Sequence, residues 1–217
     1  MQRGAKSMPK KRISNLEQMM RNEQPINWGR AFLTGIFGAS LMMAFIDSFN
    51  MMGLTNFSYE VYLGSLIRGT PYGTHNWTVG VFTNWLLGGI FGTLYAYFFE
   101  YQFGRATARQ GLLLGFGHAA LASVAFFPFF NAIHEQMGSP LYANFGFFGS
   151  GLNPGTPLLL LIGNLLFGST VGAFYGPVRE DRVMARFFEP GELGLPGEPG
   201  VITEQDDPPD RTHESAA

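Results

Sequence analysis

The chain has 217 residues, 14% charged side chains, a formal net charge of −2 and no cysteine. That charge fraction is far below the roughly 25% of soluble domains, while 22 Phe and 29 Gly are what helices packed in lipid carry. The lack of cysteine excludes disulfides, iron–sulfur clusters and thiolate zinc sites, and the modest, segregated charge argues against a nucleic-acid partner.

Residues 1–28 are polar and basic. Ser14-Asn15-Leu16-Glu17 fits a capping box, and Ile13, Leu16, Met19 and Met20 recur at near-helical spacing, so this arm is expected to be partly an amphipathic helix on the membrane surface. Four apolar segments follow, at about 31–52, 78–99, 111–133 and 157–178. Each is long enough to cross a hydrocarbon core of about 30 Å at about 1.5 Å per residue. The loop at 53–77 holds a short helical stretch, Tyr59 to Ile67, expected to lie in the interface with Tyr59, Tyr62 and Trp77 as belt residues. The loop at 134–156 is rich in Gly, Asn and Phe and is expected to cover the bundle or dip into the outer interface. Residues 179–217 are Pro-, Gly- and acid-rich and expected to be largely disordered.

Lysine and arginine orient the chain. Thirteen of the fourteen lie in the amino-terminal arm, the 100–110 loop or the carboxyl-terminal tail, and only Arg68 lies in the other two loops. By the positive-inside rule both termini face the cytoplasm.

Asn84, Gly88, Gly92 and Tyr95 fall on one stripe of the second span, and Asn164, Gly168, Gly172 and Tyr175 repeat them 80 positions later. The same offset relates Ala31, Gly35 and Ala39 to Gly111, Gly115 and Ala119. The expected fold is therefore all-α, with four transmembrane helices arranged as two tandem helical hairpins in parallel repeat. Small residues let helix backbones approach where no hydrophobic effect drives association. The stripes of spans 2 and 4 have two available partners: each other, or the small face of their own hairpin partner.

These residues resemble a family of uncharacterised four-span bacterial inner-membrane proteins. The resemblance lies in Trp85-Leu86-Leu87-Gly88 with Gly92-Thr93-Leu94-Tyr95, in Gly111-Leu112-Leu113-Leu114-Gly115, and in Leu161-Ile162-Gly163-Asn164 with Gly172-Ala173-Phe174-Tyr175-Gly176. It covers roughly residues 30–178 and implies a bacterial cytoplasmic membrane location, with no activity attached. In that family the polar position before the glycines is often His. Here it is Asn84 and Asn164, a departure that argues against a shared metal or proton site at that pair.

Few residues offer chemistry. Asp47 lies at the outer end of span 1, and Glu60, His75, His134 and Glu135 lie on the same side, which makes these five the candidate ligands for a divalent metal. His118 is expected about two turns below the inner interface beside a small-residue face, as a proton relay or an interhelical hydrogen bond. A bis-His haem site has no second intramembrane histidine, and no cofactor is implied. Pro128 is expected to kink span 3 and free the carbonyl near Val124. The glycine runs lie inside spans without a preceding strand, so no nucleotide site is read from them. Three roles are compatible: an accessory subunit of a larger membrane complex, a small dimeric transporter or channel, or a membrane enzyme using the outer His and carboxylate residues.

Overall fold

The computed structural model describes residues 10–23, 25–55, 57–69, 74–126, 128–129, 132, 146, 149–151 and 153–188. His134, Glu135 and the tail beyond residue 188 lie outside them. The described chain is all-helical: α1 (Lys10–Asn22), α2 (Trp28–Met51), α3 (Tyr59–Arg68), α4 (Thr74–Phe98), α5 (Ala108–Leu121), α6 (Thr156–Phe174) and α7 (Arg179–Phe188). Side chains set several of the helix starts. Asn27, Ser58 and Thr107 each accept from the backbone N–H three residues on, satisfying a donor that the first turn leaves open.

Three helical stretches are long and apolar enough to cross a membrane: Trp28–Met51, His75–Phe103 and Thr156–Ala185. The third expected span is described as α5 and a π-helical continuation, Ala122–Phe126, and only part of its remainder is described. Pro128 has no N–H to donate to Val124, and the turn just before it is the one that widens. A second π-helical turn, Phe99–Phe103, extends α4.

On α4 and α5 the outer faces carry large apolar groups and the inner faces small ones. On α4 the exposed residues include Phe82, Leu86, Ile90 and Leu94, four apart, while the buried stripe is Asn84, Gly88, Gly92 and Tyr95. On α5 the buried stripe is Gly111, Gly115, Ala119 and Ser123, and Leu113, Phe116 and Leu121 face out. Large apolar groups outside and small or polar groups inside suit a lipid solvent.

Each glycine stripe of α4 and α6 packs on the preceding long helix of the chain. In α2–α4 a methyl group at Gly35 would strike the Gly88 carbonyl, and one at Gly92 would strike the Ala31 carbonyl. In α5–α6 a methyl at Gly111 would strike the Gly168 carbonyl, and one at Gly115 the Asn164 carbonyl. The two pairs are not in the same register. The counterpart of Gly35 at an offset of 80 is Gly115, yet it is Gly111 that meets Gly168. The second pair is slid by four residues, about 6 Å along the helix axis. Gly111 stands where the first pair has Ala31, and the missing methyl admits backbone contact one turn nearer the helix start. Further along, α5 and α6 part around an apolar cleft of about 360 Å³ lined by Phe116, Ala119, Ser123 and Leu158.

The α2 and α6 helices close the centre: Gly38 receives Phe167 and Val171, and Gly163 faces Met42. The short helix α3 runs antiparallel beside the start of α4, with Gly64 against the Asn76 backbone and Gly80 against the Glu60 backbone. It is therefore a packed strut along α4. The end of the bundle that carries α1 and α7 is called proximal below, and the end that carries α3 distal.

Candidate functional site

Polar side chains gather at three levels. At the proximal end, Glu100 is the hub, with its side chain only 2% exposed. Tyr175 donates its hydroxyl to Glu100 Oε1 at 2.7 Å, and the backbone N–H of Arg179 donates to Oε2 at 2.7 Å. Arg182 Nη1 donates to Oε1 at 3.2 Å, and its Nε pairs with Glu23 at 3.3 Å. The same guanidinium reaches the carbonyls of Pro177 and Pro25. Charge-assisted bonds of this kind are among the stronger ones available to a protein. They tie α1, the end of α4 and α7 into one unit. Arg30 adds a link by donating from Nε to the Phe174 carbonyl at 3.1 Å. Its guanidinium lies against Gly176, whose φ of 90° and missing Cβ leave room for it.

The middle level is His118. It lies ten residues into α5, about 15 Å along the helix axis. Its ring stacks on Phe91 with centroids 4.0 Å apart and meets Phe167 edge-on at 5.9 Å. Nδ1 and the Tyr95 hydroxyl are 3.4 Å apart. The 80-residue counterpart of His118 is Gly38, which admits α6 closely, whereas at 118 an imidazole fills the gap and the backbones of α4 and α5 stay apart.

The distal level holds Asp47 of α2 and Glu60 of α3, whose carboxyl groups lie within hydrogen-bonding reach of one another. Glu60 is fully buried, and Ser58 donates to its Oε2 at 3.0 Å. Burial is the main cause that raises the Glu60 carboxyl above its ordinary value, and the nearby Asp47 charge adds to it. Arg68, two turns along, donates to Asn76 Oδ1 at 3.1 Å. His75 is exposed at the start of α4. Among the described residues no group of three or more His, Asp and Glu side chains is placed to hold a metal ion.

Asn84 and Asn164 do not bond to each other. Asn84 donates across to the Ala39 carbonyl at 3.2 Å, while Asn164 turns back to Leu160 of its own helix at 2.8 Å. Tyr95 and Tyr175, equivalent in sequence, serve different levels: Tyr95 meets His118 and Tyr175 meets Glu100.

Sequence reasoning missed Glu100 and Arg182. A signal existed: Glu100 is the one acid in a loop that otherwise carries Arg105 and Arg109, and it directly follows an uncharged span. Comparisons with protein-family models, curated proteins and solved structures find no match to this chain.

Proposed function

We propose that this is a four-span integral membrane protein, built as two glycine-packed hairpins with both termini cytoplasmic, that serves as an accessory subunit of a larger membrane complex. The observation that carries this is the Glu100 hub. A nearly buried carboxylate fixes two polar helices, α1 and α7, to the end of the transmembrane helices. Such a clamp has a purpose where those helices present a fixed face to another polypeptide. The backbone contacts at Gly35 and Gly111 favour the same role, because they make the helix pairs rigid.

A second reading, a small transporter or channel working as a homo-oligomer, is favoured by the His118–Tyr95 contact between helices, since polar groups inside membrane bundles mark ion or proton paths. The enzyme reading has less support, since the described outer-face residues bring only Asp47 and Glu60 together.

Purification from the native membrane in mild detergent tests the proposal. A stoichiometric partner that is retained by the wild type and lost from Glu100→Ala, with the transmembrane helices still folded, supports the subunit reading. A clean homodimer active in proton-flux assays, and silenced by His118→Ala, overturns it.

A further inference from the structure

The carboxyl pair at the distal end poses a chemical problem. Ser58 donates to Glu60 Oε2, and the residue's own backbone N–H also bonds to the carboxyl. Glu60 Oε1 is buried and meets no donor. The neighbouring group is a second carboxyl, from Asp47 on a different helix. Two carboxylates offer each other acceptors only, so the fully ionised pair is repulsive where water does not screen it.

The elements packed around the pair supply no compensating cation among the described residues. Tyr59 and Tyr62 on α3 are neutral hydroxyls, with Tyr59 pushed up to about 12 by burial and by Glu60. Arg68 is engaged with Asn76. On α4 the group beneath Glu60 is Gly80, and His75 is exposed. A hard divalent cation needs about six oxygen ligands or more, and among the described residues no third acidic or imidazole ligand joins the two. A proton needs only the two facing oxygens.

We propose that Asp47 and Glu60 hold one shared proton, so that the distal end of the bundle carries a proton-binding site built from α2 and α3. Glu60 is the enclosed member and Asp47, only partly buried, is the member through which the proton exchanges. Loss of the proton sets two charges against each other across the α2–α3 contact, so occupancy governs how firmly α3 is held. This site is independent of the accessory-subunit proposal.

Infrared difference spectroscopy of the full chain in lipid nanodiscs, titrated from acid to alkaline pH, tests it. The wild type shows one protonated carboxyl band per chain at neutral pH. Glu60→Gln loses that band, and Asp47→Asn lowers its titration midpoint by about one pH unit or more because the neighbouring charge is gone. Each amide donates N–H to the remaining carboxylate, so each variant keeps a bridging hydrogen bond. If Glu60→Gln fails to fold, the Asp47→Asn midpoint still decides. A wild type with no protonated carboxyl at neutral pH overturns the proposal, and so does a band with the same midpoint in both variants. Ionised carboxylate bands that shift on adding sodium or calcium overturn it in favour of a metal cation.

Discussion

Alanine at Gly35 places a methyl group against the carbonyl of Gly88, well inside van der Waals contact. The obstacle is backbone, with Gly89 Cα beside it, so no side chain can rotate away. The helices must separate instead. Opening a gap of about 0.5–1 Å forfeits a quarter to a half of each contact's dispersion well, and overpacking of this kind costs about 1–3 kcal/mol. Gly117 supplies the control: it lies in α5, exposed, and a methyl group added there would meet nothing within 4 Å. There the same substitution removes only backbone freedom from the unfolded chain and gains about 0.5–1 kcal/mol. Gly163 falls between, because its nearest neighbour is the flexible Met42 side chain at 3.2 Å. Equilibrium unfolding in mixed micelles should rank the alanine variants Gly117, Gly163, Gly35 from most to least stable. Equal effects at Gly35 and Gly117 refute the claim that α2 and α4 are held by backbone approach.

Glu100→Ala removes one of the two carboxylates that the largely buried Arg182 guanidinium pairs with, and the acceptor of Tyr175 and Arg179, and should cost up to about 3–5 kcal/mol. Glu100→Gln, which still accepts from Tyr175, should cost less, and a double-mutant cycle with Arg182→Ala measures the coupling. Asn84→Leu removes an interhelical bond and should cost about 0.5–2 kcal/mol, whereas Asn164→Leu, losing a bond within its own helix, should cost less in the same unfolding assay. The raised Glu60 carboxyl gives a pH dependence of definite sign. The folded state binds this proton more tightly than the unfolded chain, so its contribution is complete below the ordinary value of 4.5 and is lost as pH rises through the higher folded value. Unfolding midpoints measured across that window should fall with rising pH in the wild type and lack this component in Glu60→Gln.

The apolar segments and the small-residue stripes were legible in the sequence because lipid imposes both. Segment length follows from bilayer thickness, and Gly or Ala recurs every fourth residue wherever backbones approach. The slide of α5 against α6 was not legible. Ala31 and Gly111 are both small, and only the packed helices show that the lost methyl moves the register by a turn. The Asp47–Glu60 contact depends on the chain folding back after Gly53 so that α3 starts beside Asp47, a path that spacing in sequence does not encode. The hub at Glu100 joins residues as far apart as Glu23 and Arg182, and no local pattern links them.

The contrast between Gly38 and His118 gives the molecule a spine and a fore-edge. Along the spine, α2 and α6 meet through Gly38 and Gly163, and moving them apart breaks close contact over several turns. Along the fore-edge, α4 and α5 stay further apart, and the imidazole of His118 fills the gap among Phe91, Tyr95 and Phe167. Truncating that ring therefore loosens the fore-edge while leaving both glycine seams in contact.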